Sequence, residues 1–337
     1  MTTTTNGATL EHEIGATGSF RLRQLSGSIF LRGVDGGTAR VVERNGKSLA
    51  EGFHIETGEH QLSLTAPDRV GLNMVFDIGR RSSFDLEVEV PRGAAVSIES
   101  ASAELQLSDL TNQLRVRTAS GDLTLDRIAG TLELDAVSGD ARIEAAGALD
   151  LRARTISGDL SVRAPRLGRA EIGTTSGDIR VDAVLAGTGP FGIETVSGDA
   201  TIVGRMGLRI EARTVTGDLG SELPHRREAG PGRKQLVVGD GAIPFSFRSV
   251  SGDLRVTTPR DSLPAGVTTG ESPAVAPDAP VPPVPPTTPS APVPPAAPAN
   301  PGAGSREVAR MDVLRALERG ELSVEAAMRR IAEIEEA

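Results

Sequence analysis

The chain has no cysteine, no tryptophan and no tyrosine, and only 8 phenylalanines in 337 residues. Without cysteine there is no disulfide and no thiolate metal site, whatever the compartment. An enzyme or sandwich domain of this length normally buries several large aromatics. Stacked Leu, Val, Ile, Ala and Thr suit a narrow, repetitive interior instead. Basic charge is also scarce: 36 Lys and Arg face 45 Asp and Glu, a formal net charge of −9, which argues against nucleic acid as a partner. No stretch approaches the eighteen or so apolar residues of a membrane span, and the opening MTTTTNGATLEHEIGATGSF has neither a basic region nor an apolar run of a signal peptide. Walker loops, dinucleotide fingerprints, Ser-centred elbows and zinc spacings are missing too. These absences predict no cofactor and a cytoplasmic protein, with surface or envelope association only by an unconventional route.

What the chain does have is one tripeptide written repeatedly. Ser120-Gly121-Asp122 returns with Asp140, Asp159, Asp178, Asp199, Asp218 (as Thr-Gly-Asp) and Asp253, at steps of 18, 19, 19, 21, 19 and 35 residues. Ala101-Ser102-Ala103-Glu104 reads as a degenerate first copy. A period near nineteen marks a repeat architecture, whose units bury their apolar faces only against neighbours. On both sides of each tripeptide, apolar and polar residues alternate with the two-residue period of strands. Stacking the copies would align like residues, including a column of mostly Thr before the corner. Two architectures fit: an antiparallel meander, since Gly-Asp is a legitimate hairpin signal, or a parallel β-solenoid with coils about 4.8 Å apart. A meander of a dozen strands would curl or split and leave exposed edges. The reading is therefore all-β, a parallel β-solenoid of about 19 residues per coil.

Four regions follow. Residues 1–100 are an irregular β region continuous with the solenoid, 101–258 the repeat, 259–304 a Pro/Ala-rich disordered linker, and 305–337 a small α-helical hairpin. The linker holds 15 of the 22 prolines and suits an extended polyproline spacer. In the hairpin, Val308, Met311, Leu314 and Leu317 share one helical face, and Ile331 and Ile334 a second, separated by Gly320 and a Ser323 cap. Helices this short are marginal alone in water, so they are expected to self-associate or dock on a protein partner. The 35-residue step is read as a coil carrying a basic insertion, with Arg226, Arg227, Arg233 and Lys234 as a solvated loop or a docking site for an acidic partner.

The corners admit two readings. In the structural one, Gly121, Gly139, Gly158, Gly177, Gly198, Gly217 and Gly252 supply a positive φ, and the Asp or Ser bonds its local backbone. In the other, Asp122, Asp140, Asp159, Asp178, Asp199, Asp218 and Asp253 form a cation-binding ladder. Carboxylates 4.8 Å apart repel by about 0.9 kcal/mol in a water-like dielectric, and Arg142, Arg180 and Arg255, two residues after an Asp, could relieve that without metal. Calcium needs six to eight converging oxygens, so no metal site is assigned. The acids are spread evenly and His12, His54, His60 and His225 are scattered, so no catalytic residue is assigned either.

The repeated V-S-G-D-[LI]-x-V unit, preceded by LEVEVPRGAAVSIESASAELQL at 86–107, resembles the bacterial putative-adhesin family of β-strand-repeat proteins, over roughly residues 30–257. MDVLRALERGELSVEAAMRRIAEIE resembles the short helix-Gly-[IL]-[ST]-x-E-E-A-helix module that often ends such proteins, with Val324 replacing an acidic residue. The resemblance implies a β-solenoid without established catalysis and roles in adhesion or cell-envelope stress signalling. The expected function is a non-enzymatic scaffold or interaction protein with an unknown ligand on the solenoid face. A polysaccharide-active β-helix enzyme and a polymer-forming cytoskeletal solenoid are the alternatives.

Overall fold

The computed structural model describes residues 3–67, 83–205, 207–230 and 233–259, all within one compact unit, Met1–Arg260. The linker from 260 onward and the hairpin residues Val308, Met311, Leu314, Leu317, Ile331 and Ile334 lie outside the described residues.

The described chain is β throughout except for a single helical turn, Leu49–Gly52. Its strands stack in mostly parallel ladders, solenoid-like. Each rung climbs one face, turns at an S-G-D corner, and returns along a second face to a far corner. We name rungs by the third corner residue. The parallel ladder after the corner pairs Leu123 with Ala141, Ala141 with Leu160, Leu160 with Ile179, and Ile179 with Ala200. A rung supplies the crossover that parallel neighbours require, without a helix.

Strand periodicity fills the space between the faces. Before the corner, Leu64, Leu22, Ile98, Val116, Leu134, Ala153, Ile172, Ile193, Phe247 and Ala212 pair successively, and all are buried. After it, Leu86, Ile29, Leu105, Leu123, Ala141, Leu160, Ile179, Ala200, Leu254 and Leu219 do the same. Facing apolar columns form one continuous core, at about 25 cal/mol for each Å² of apolar surface removed from water.

Rung order departs from chain order at both ends. Ala200 pairs with Leu254, and Leu254 with Leu219, so the Asp253 rung lies between the Asp199 and Asp218 rungs. The expectation of one coil with a loop insertion across the 35-residue step is therefore corrected. The chain passes outward to the Asp218 rung, makes an antiparallel hairpin from His225–Gly230 and Arg233–Val238, and comes back to fill the inner slot. Arg233–Val238 lies antiparallel on Leu208–Thr214 and covers that outer edge. Gly239-Asp240 is the turn leaving the hairpin, with the Ala242 N–H donated to Asp240 Oδ1 at 3.1 Å.

At the amino-terminal end, Ser19–Val34 is itself a rung, with a corner at Ser26-Gly27-Ser28. It is paired on one side with Ala95–Ser108 and on the other with Gln61–Thr65 and Leu86–Pro91. The rung ending at Asp85 is thus outermost although it comes later in the chain. Antiparallel strands cover it: His54–Gly58 on Gln61–Thr65, Thr38–Glu43 on Leu86–Pro91, then Thr9–Glu13 and Thr3–Asn6. Buried Glu43 completes this cap, its Oε2 accepting the N–H groups of Asn45 at 2.9 Å and Lys47 at 2.7 Å. Capped ends protect the unpaired strand edges on which open sheets aggregate.

Candidate functional site

The column of S-G-D corners is the feature the sequence singles out, and its geometry assigns the carboxylates to the chain itself. Asp140 donates its backbone N–H to Asp122 Oδ1 at 3.1 Å, Asp159 to Asp140 at 2.9 Å, Asp178 to Asp159 at 2.8 Å, and Asp199 to Asp178 at 2.9 Å. The series continues from Asp253 to Asp199 at 2.9 Å and from Asp218 to Asp253 at 2.8 Å, in stacking order. Each Asp carbonyl also accepts the N–H that follows the preceding corner, as Asp159 does from Ala141 at 2.9 Å. The side chain therefore fastens rung to rung, where local capping was expected.

Repulsion along the column is relieved by these N–H groups. Arg142 instead binds Glu144 at 2.7 Å, and Arg180 and Arg255 make no ion pair among the described residues. At the outer end Lys234 Nζ reaches Gly217 O at 2.6 Å and Asp218 Oδ1 at 3.4 Å, while Arg227 donates to Leu219 O at 2.8 Å. These two basic residues of the presumed loop close the last rung, and exposed Arg226 lies on the same hairpin. No group of three or more His, Asp or Glu side chains suited to a metal occurs among the described residues.

Glycine at the corner answers to sterics. A Cβ on Gly158 would lie 2.2 Å from Gly139 O, and one on Gly177 2.2 Å from Gly158 O. Gly121, Gly139, Gly158, Gly177 and Gly198 have φ between 116° and 134°; Gly217 and Gly252 do not adopt positive φ, yet a Cβ there would stand 1.9 Å from Gly252 O and 2.2 Å from Gly198 O. The outermost rung places Phe84 at this position, against Phe53 with ring centroids 5.0 Å apart. Before the corner, Thr118 donates to Ser120 O at 3.0 Å, and Thr155 and Thr174 to Ser157 O and Ser176 O at 3.3 Å each, so Thr closes the turn on these three rungs.

The sequence reading missed the first corner, Ser26-Gly27-Ser28. There Ser28 donates its N–H and hydroxyl to Asp85 Oδ1 at 3.0 and 2.7 Å, the same fastening with Ser in place of Asp. Those bonds, led by the Ser28 hydroxyl and then Asn45, lower the Asp85 pKa from its ordinary value.

The outward faces are ionic lattices. Before the corner, Arg115 meets Glu133 at 2.6 Å, Arg117 meets Asp135 at 3.4 Å, Arg152 meets Glu171 at 3.7 Å and Arg248 meets Glu194 at 2.7 Å. After the corner, Arg142, Glu144, Ser161, Arg163, Arg180 and Asp182 border a shallow cleft of about 200 Å³. Arg142 holds the Glu144 carboxyl below its ordinary pKa through their hydrogen bond. At the far corner Asp109 and Arg127 take left-handed backbone, φ 61° and 52°. Arg127 grips Asp109 with Nε at 2.8 Å and Nη2 at 2.6 Å, and the Asp109 pKa is lowered, first by that hydrogen bond and then by the charges of Arg127, Arg92 and Arg32.

No curated protein matches the chain. Among solved structures it is similar to a putative adhesin from Bacteroides fragilis, with 12% identity over 75% of this chain and 98% of the other and a TM-score of 0.43. It is also similar to a putative cell adhesion protein from Clostridium sporogenes, with 10% identity over 75% and 100% and a TM-score of 0.27. A third similar structure is a putative lipid binding protein from Parabacteroides distasonis, with 14% identity over 75% and 98% and a TM-score of 0.29. The family model described as Toastrack DUF4097 matches residues 39–257, the span that holds most of the rungs and their fastened corners, and the chain belongs to that family.

Proposed function

We propose that this protein is a non-enzymatic, adhesin-like interaction scaffold, in which the stack presents contact surfaces, residues 259–304 act as a spacer, and residues 305–337 tether or self-associate. One observation carries the reading: the repeated carboxylates accept backbone N–H groups of the next rung, and the outward charges pair across rungs. An acid-base pair for glycan cleavage needs a carboxyl free to exchange a proton with the substrate. Carboxylates spaced one per rung and each bonded to the next rung, with none gathered into an acid-base pair in a cleft, support binding by surface shape over cleavage. The antiparallel caps on both ends likewise favour a discrete particle over an end-to-end polymer. No helix among the described residues is long and apolar enough to cross a membrane.

The test is affinity capture with the full chain and with a truncation after Arg260. Partners retained by the truncation belong to the stack, and partners lost with the tail belong to residues 261–337. Release of reducing ends from polysaccharides by the purified chain, with or without calcium, would contradict the reading.

A further inference from the structure

On the face before the corner, outward charges alternate along the stack. One row reads Arg23, Glu99, Arg117, Asp135 and Arg154 on successive rungs. The row beside it reads Arg21, Ser97, Arg115, Glu133, Arg152 and Glu171. The alternation is the same except at one place: where the first row has Glu99, the second has Ser97.

Glu99 shows what a carboxylate does at that place. It stands 4.0 Å from Arg23 on one side and 4.0 Å from Arg117 on the other, bridging arginines two strand spacings apart, about 9.6 Å. Across the same span in the second row, Arg21 and Arg115 have only a hydroxyl between them. Exposed Arg21 makes no ion pair or side-chain hydrogen bond among the described residues. Arg115 gives Nε and Nη2 to Glu133 Oε2 at 2.9 and 2.6 Å, which leaves Nη1.

Short side chains turn the gap into a depression of about 180 Å³, whose lining includes Ser19, Arg21, Gln61, Ser97, Gln113 and Arg115 and no carboxylate. Within the described residues, Ser19, Gln61, Ser97 and Gln113 engage no partner through their side chains. The carboxylates around the gap are already held: Glu133 by Arg115, Glu99 between its two arginines, and Glu56, beyond Ser63, by His54 at 3.4 Å. Glu59 lies in the turn before Gln61, on the order of a Debye length from Ser97. The vacancy is thus one anion wide, between two guanidinium groups that match a carboxylate. Around it stand two carboxamides and two hydroxyls, groups that both donate to and accept from sugar hydroxyls. A depression of this size admits a single ring and not a drug-sized ligand.

We propose that the Arg21–Ser97–Arg115 gap binds the carboxylate of an acidic sugar, a uronate unit of a glycan, with the ring over Ser19, Gln61 and Gln113. The ligand supplies the carboxylate that Glu99 supplies in the next row. This rests on the reading that the stack itself makes contacts.

The test titrates glucuronate into the nitrogen-15-labelled full chain at low ionic strength and follows the amide shifts. Saturable shifts are expected at residues 19–21, 95–97 and 113–115. Glucose, which lacks the carboxylate, and acetate, which lacks the ring, should each bind at least about tenfold more weakly. Ser97→Glu places the missing carboxylate in the chain itself, and should abolish saturation while raising the thermal transition. Arg21→Gln removes an exposed side chain without a partner, so its transition should stay at the parent's while affinity falls at least about tenfold. Arg154→Gln, at the end of the other row, should leave binding unchanged. The proposal is overturned if glucuronate does not bind the parent, or if Ser97→Glu or Arg21→Gln binds it as the parent does. Acetate binding as tightly as glucuronate would overturn the sugar assignment, since any carboxylate would then serve. Failure here together with partner capture by residues 1–260 would remove this site and leave the scaffold reading standing.

Discussion

At the residue scale, one side chain links the repeat to its stability. Asp159 bridges the Asp140 and Asp178 rungs through side chain and backbone, so its charge matters less than its oxygen. Asp159→Asn keeps an acceptor and sheds repulsion, and is expected to change stability by less than about 0.5 kcal/mol. Asp159→Ala removes the acceptor and should cost about 1 kcal/mol in urea denaturation. Adding or chelating calcium should shift neither midpoint. Gly158→Ala is expected to be far more severe, at least about 3 kcal/mol, because its φ of 118° and the Gly139 carbonyl both oppose a Cβ. At the far corner Asp109 has a folded-state pKa below its unfolded one. Its contribution is therefore present at neutral pH and is lost as pH falls from about 4 through the lowered value. Asp109→Asn should narrow its deficit against the parent over that acid window, as measured by pH-dependent melting. The tripeptide and its Gly were legible in sequence because sterics permit so few alternatives there. The Ser26-Gly27-Ser28 corner escaped because its acceptor, Asp85, is contributed by a rung whose middle residue is Phe84.

At the element scale, alternation and columns were readable, since a two-residue period fixes which side chains point inward. The order of rungs was not. Every rung presents nearly the same apolar pattern to both neighbours, so nothing local tells Ile243–Ser251 to enter between Phe191–Ser197 and Leu208–Thr214. What selects the order is the long-range economy of edges: the hairpin His225–Gly230 and Arg233–Val238 pairs antiparallel on the outermost rung, and the last strand then has partners on both sides. The basic residues read as a solvated loop carry part of this role, since Arg227 and Lys234 bind carbonyls of the last rung. Replacing residues 224–238 by a short Gly-Ser linker should uncover the Leu208–Thr214 edge. Concentration-dependent association in sedimentation velocity is expected for that variant, with the parent as the reference.

At the scale of the whole molecule, composition and architecture agree. A chain without Trp or Tyr fills a thin interior with aliphatic columns, and outward Arg, Asp and Glu pair between rungs instead of gathering in one pocket. Stability is then a sum over neighbouring rungs, and function is expected on surfaces that several rungs compose. Which rungs compose such a surface depends on their order, and the Asp253 rung is second from the end. The cysteine-free chain permits a direct measurement of that order. Glu194 and Arg248 pair on adjacent strands, and Arg248 pairs with Arg213 on the next. Cysteines at 194 and 248 are therefore one strand spacing of about 4.8 Å apart, within disulfide reach, whereas 194 and 213 are about 9.6 Å apart and beyond it. Under mild oxidation the Glu194→Cys/Arg248→Cys variant should form the intramolecular disulfide and Glu194→Cys/Arg213→Cys should not. A disulfide in the second variant and none in the first would mean that rungs stack in chain order, and would contradict the account.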